Sequence, residues 1–152
     1  MPLVGAGSFP ALEGALRDWL RSHPVVGPLV GATGSPLKGG HVFLGLPTGG
    51  VATTSPYIAI HRVGGGPPSG VDYPMDAARM QVDVWDAKNQ KIRCLGVARV
   101  VAATLLDLTC GTLLSNEVRA LGASGITMPY APDPSTGEPR YSINVLIQAQ
   151  AI

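Results

Sequence analysis

Leu12, Leu16, Trp19 and Leu20 recur at helical spacing, while Glu13, Arg17, Asp18 and Arg21 occupy the other side. This pattern predicts a first helix from Ser8 to Ser22. Ser8 is placed to cap it, and Pro10 is tolerated in the first turn, where its missing N–H would have no intrahelical partner. His23-Pro24 ends it, because a residue before proline is pushed out of the helical region. Val25, Val26, Leu29 and Val30 fit either a short helical turn or an edge segment. The pattern then changes to a period of two. His41–Leu46 reads as a short strand and Tyr57–Val63 as a longer one, with Tyr57, Ala59 and His61 opposite Ile58, Ile60 and Arg62. Arg79–Trp85 alternates cleanly: Met80, Val82 and Val84 face a core, and Arg79, Gln81, Asp83 and Trp85 face away.

Asn89–Leu108 returns to the helical period, with Ile92, Leu95, Ala102, Leu105 and Leu106 on one side. Asp86 and Asn89 are both plausible caps, and Cys110-Gly111 closes the helix. Val118–Ala123 leads through Ile126–Tyr130 into the turn APDPSTGEP. A last strand follows, in which Tyr141, Ile143, Val145, Ile147 and Ala149 alternate with polar neighbours. The order is helix, two or three strands, helix, two strands. It predicts an α+β fold: an antiparallel or mixed β-sheet packed on two helices, with a long β-hairpin arm. The 152 residues suit one domain, 1–152, large enough for its own core.

Composition adds one constraint. Only 14% of residues are charged, against about a quarter in ordinary soluble domains, so much of the surface is expected to lie against copies or partners. The net charge of +1 gives no bulk argument for nucleic-acid binding. The 20 glycines and 14 prolines gather at 24–50, 64–74 and 122–139, which reads as long loops inside one domain. Cys94 and Cys110 lie in one predicted helix, about 24 Å apart at 1.5 Å per residue, too far to bridge. Neither a signal peptide nor a membrane span is expected from the sequence.

Gly64-Gly65-Gly66 follows a strand, as a phosphate-binding loop would. However, Pro67, Pro68 and Pro74 come next, then a strand, and no lysine lies in the loop. Without a helix N-terminus the main source of phosphate affinity is missing, so the segment reads as a hairpin arm. His23, His41 and His61 have no second ligand at short spacing, so no metal or other cofactor is expected. Ser, His and Asp are all present, but a triad is defined by geometry, and no GxSxG elbow occurs. Asp72 and Asp76 flank Pro74, while Asp83 and Asp86 lie on or just past the outer strand face. All four read as solvated charges or as partners for cations across an interface. Trp85 either packs under a loop or anchors a protein interface.

The run PYIAIHRVGG, then VDYP, then RMQVDVWDAKNQKIRCLGVARVVAATL, and the closing DPSTGEPRYSINVLIQAQ resemble the tail terminator (tail completion, minor tail) proteins of siphophages. The resemblance spans roughly residues 9 to 150 and rests on order and spacing, not on a catalytic motif; nothing carries over to Gly39–Thr54. It implies a non-enzymatic virion protein of the tail neck, assembled in the host cytoplasm. Its expected partners are itself (as a homohexameric ring), the tail tube protein and a head-completion or neck protein. Genomic DNA would pass through a neutral or acidic lumen without sequence-specific binding, and no membrane is involved. The expected subunit or tube interface draws on the arm, residues 64 to 78, and the outer strand face: Gly64, Gly65, Gly66, Asp72, Tyr73, Asp76, Arg79, Asp83 and Trp85. Two other readings compete. One is another head–tail neck component, such as a head-closure or adaptor protein. The other is a small α+β enzyme with a glycine-rich ligand loop.

Overall fold

The computed structural model describes residues 11–45, 55–66, 75–108 and 111–152. Ser8, Pro10, Asp72, Tyr73 and Cys110 lie outside the described residues, so the expected Ser8 cap and the tip of the arm do too. The chain forms α1 (Leu12–Ser22), α2 (Val26–Leu29), β1 (Val42–Leu44), β2 (Tyr57–Gly66), β3 (Met75–Trp85), α3 (Lys91–Leu106), β4 (Thr112–Leu113), β5 (Val118–Thr127) and β6 (Arg140–Ala151). The six strands form one sheet in the order β1-β2-β3-β6-β5-β4. Only β1 and β2 run parallel, so the sheet is mixed and the fold is α+β.

The core lies between one face of this sheet and the helices. Leu12, Leu16 and Leu20 of α1 and Cys94, Val97, Ala98, Val101 and Leu105 of α3 are buried there. The sheet contributes alternate residues: Ile58 and Ile60, then Met80, Val82 and Val84, then Ile143, Val145 and Ile147. Placing these in register aligns the apolar parities of β2, β3 and β6, as Ile60↔Val82↔Ile143 shows. A one-residue slip would turn each set away from the helices.

Several local expectations change. Val25–Val30 resolves into the short helix α2. The second long helix begins at Lys91 because Asn89 takes a left-handed conformation, φ 70°, which cannot continue a helix. Gln90 precedes the helix and no side chain caps it. Asp86 is instead fully buried: it accepts the Ala87 N–H at 2.7 Å and an ion pair from Arg93 at 2.5 Å, which raises the guanidinium pKa. Asp86 is therefore neither a helix cap nor a solvated charge.

The glycine run is also different from a free arm. Gly64, Gly65 and Gly66 are strand residues opposite Arg79, Ala78 and Ala77, after a bulge at Arg62/Gly64. Met75–Arg79 is paired on its other side with Leu146–Gln150. The laddered strands thus reach well into the expected 64–78 arm.

Candidate functional site

The second face of the sheet has no helix among the described residues. β2 presents Tyr57, Ala59 and His61 there, β3 presents Arg79, Gln81, Asp83 and Trp85, and β6 presents Arg140, Ser142, Asn144 and Leu146. This follows from the register Tyr57↔Trp85↔Arg140 and Ala59↔Asp83↔Ser142. The parity is the one the alternation predicts, but the surroundings are not. Asp83 is 1% exposed and Trp85 4% exposed. Tyr57, Ala59 and Trp85 form a small second core with Phe43 of β1 packed against it. The Tyr57 and Trp85 rings lie nearly parallel, 6.1 Å between centroids, and the Arg140 guanidinium sits 4.8 Å over the indole.

Asp83 gathers the polar groups of three strands. It accepts the Ser142 hydroxyl at 2.6 Å and the Gln81 amide at 3.0 Å. His61 Nε2 lies 3.6 Å from it and Arg140 Nη1 3.8 Å. Arg140 is itself held by donating through Nε to the Ala131 carbonyl at 2.7 Å. A carboxylate sunk in a sheet is tolerable only with such a set of donors. Asp83 was expected to be solvated or to face a partner's cation, and Trp85 either to pack under a loop or to anchor an interface. Within this chain both are engaged, because long side chains from neighbouring strands close over them.

Serine, aspartate and histidine do meet here, yet not as a nucleophile relay. In a relay the imidazole stands between the hydroxyl and the carboxylate. Ser142 instead donates directly to Asp83 and is buried, so its oxygen has no base and no access. The loop joining β5 to β6 folds over this end as a tight hairpin. Asp133 accepts from the Ser135 N–H and hydroxyl, which lowers its pKa, and Gly137 turns the chain with φ 74°. The Tyr57 hydroxyl, 3.4 Å from Glu138, is pushed up to about 12 by burial first and that carboxylate second.

The remaining expected interface residues separate. Asp76 turns to the helix side, is buried, and pairs in two-pronged fashion with Arg62, one bond at 2.7 Å, while Glu13 of α1 lies 3.4 Å from the same guanidinium. Arg79 remains exposed on the second face, beside a concavity of about 400 Å³ shared with Val63, Ser124, Gly125, Asn144 and Leu146. Sequence reasoning overlooked Gln81, Ser142 and Arg140 as a group around Asp83. Their common parity was the available signal. Among the described residues no cluster of three metal-ligating side chains occurs, and no helix is long and apolar enough to cross a membrane.

No protein family matches the chain, and no curated protein matches it in sequence. A solved structure does. The chain is similar in fold to a chain of the virion of a native gene transfer agent particle, with a TM-score of 0.63. The likeness covers 92% of this chain and 93% of that one, at 18% identity. It is a likeness of fold.

Proposed function

We propose that this chain is a structural subunit of a phage-like virion. In this reading it is a tail terminator that closes into a ring on the head-proximal end of the tail tube. The ring ends tube growth and offers the neck its joining surface. The observation that carries the reading is the fold likeness, over 92% of this chain, to a gene transfer agent virion chain. The order and spacing of PYIAIHRVGG, QVDVW and DPSTGEPRY support the finer role by resemblance. The second sheet face supports a non-enzymatic role, since its polar groups are spent on holding strands together.

The residues this reading assigns to contacts are Gly64–Gly66, Asp72, Tyr73 and the exposed Arg79. Asp76, Asp83 and Trp85 shape that surface from within, since all three are buried in the single chain. The test is assembly without the chain. Particles made in its absence are expected to yield headless tails of uncontrolled length, seen by negative-stain microscopy, and adding purified protein should restore joining. Tails of normal length that still fail to join heads would move the chain to another neck position. Complete, infectious or transducing particles made without it would overturn the reading.

A further inference from the structure

α3 is apolar on two sides. Its inward side is the core described above. Its outward side carries Ile92, Gly96, Arg99, Ala103 and Leu106, spaced by four and three residues in turn. All five are exposed, Ile92 at 88% and Leu106 at 56%. A helix on the surface of a free subunit normally turns charged residues outward, whereas this stripe holds a single charge. Alternating spacing of this kind is the seam by which a helix packs on a partner, and Gly96 and Ala103 let a partner come close. Arg99 sits at its centre and forms no ion pair among the described residues.

A groove of about 360 Å³ lies between α1 and the β4–β5 turn, on another part of the surface. Ala11, Gly14 and Ala15 give it a small-residue wall, Ser115 and Asn116 a polar one, and its carboxylates are Glu117 and Asp18, the latter paired with Arg17 at 2.9 Å. Glu117 has no cation partner among the described residues. The Ile152 N–H donates to the Glu117 carbonyl at 3.0 Å and fixes the end of this turn.

We infer that a second copy of this chain lays its α3 stripe into this groove, with Arg99 meeting Glu117. The two surfaces match in two features: the small residues of the stripe meet the small-residue wall, and the free Arg99 cation meets the unpaired Glu117 carboxylate. A symmetric α3–α3 pair is disfavoured, because a twofold axis at mid-helix sets Arg99 against Arg99. Stripe on groove is a head-to-tail contact, so every copy uses both surfaces and a ring results when the rotation closes. The inference deepens the ring reading and rests on its self-association, but not on where the ring sits in a virion.

Sedimentation of the full chain over a range of concentrations tests it. The wild type is expected to sediment above the 15.7 kDa monomer. Arg99→Glu should weaken association by ~10-fold or more while leaving the circular dichroism spectrum unchanged. Ala103→Phe, which alters shape and not charge, should act in the same direction. Arg99→Glu combined with Glu117→Lys should restore the wild-type distribution. A wild type that stays monomeric throughout overturns the proposal. So does an oligomer indifferent to Arg99→Glu and Ala103→Phe, although that result leaves a ring built on other surfaces intact. Dissociation that the charge exchange fails to repair removes the groove as the partner surface.

Discussion

At Asp83 one carboxylate receives an amide from its own strand and a hydroxyl and the flank of a guanidinium from β6. Removing it leaves the buried Ser142 hydroxyl without its acceptor and releases the Gln81 amide and the Arg140 flank. Asp83→Ala is expected to cost about 3 kcal/mol of folding stability, and Asp83→Asn, which keeps an acceptor, about 1 kcal/mol. Urea unfolding separates the two, and an alanine variant as stable as the asparagine one would falsify the hub assignment. Cys94 makes a second residue-scale prediction. Burial pushes its thiol up to about 12, and its Sγ donates to the Val84 carbonyl at 3.2 Å. A group whose folded pKa is raised stabilises the fold below its unfolded pKa and loses that contribution as pH climbs through the folded value. Stability is therefore expected to fall between about pH 9 and 12, by up to about 1.4 kcal/mol per pH unit from this one thiol. Urea midpoints at pH 9, 10 and 11 should drop less steeply in Cys94→Ala; identical slopes would contradict the assignment. Alternation along β3 placed Asp83 and Trp85 on the correct face but marked Asp83 as a solvated or partner-facing charge. Parity reports the side of a sheet, whereas cover depends on how far Arg140, Gln81 and Tyr57 reach from other strands.

Among the elements, the hairpin β2–β3 shows what the glycine run is for. Gly65 has φ 89°, and a Cβ there would stand 2.1 Å from the Ala77 carbonyl oxygen. A Cβ on Gly66 would meet nothing within 4 Å. Gly65→Ala is expected to destabilise by about 2–4 kcal/mol and Gly66→Ala by less than about 1 kcal/mol. Equal midpoints in thermal unfolding would mean that the ladder opposite Ala77 and Ala78 is not formed. The same ladder narrows what can be removed to probe the arm. Deleting 67–72 spares the paired glycines, and a folded protein that no longer caps tails is the expected result; normal capping would free the arm of any role. The helices and the long strands were legible because their apolar residues keep one period over ten or more positions. The ends were less so. The helix start at Lys91 depends on Asn89 entering the left-handed region, and the extension of β2 through Gly66 depends on Ala77 and Ala78 across the ladder. The first turns on a single backbone angle, and the second is a tertiary fact that no local pattern encodes.

For the whole molecule the question is which way the helix-free face turns. If it lined a DNA channel it should be neutral or acidic, so that the polyanion passes without adhering. It is neither. Arg79 and Arg119 stand on it, Arg79 exposed and Arg119 half-buried, neither in an ion pair among the described residues. Arg140 and His61 lie there too, and the face's central carboxylate, Asp83, is buried beneath them. Guanidinium groups repeated around a ring would bind phosphates and slow transit. On the proposed function, the charge instead suits an acidic protein surface, such as the end of the tube or a neck subunit. Arg79→Glu with Arg119→Glu should leave folding stability within about 1 kcal/mol, since neither side chain is engaged in an ion pair. The double variant is expected to abolish joining of heads to tails in a complementation assay while ring formation, read by sedimentation, persists. If heads and tails join normally and only DNA delivery changes, the face lines the channel after all, and the tube and neck must bind elsewhere.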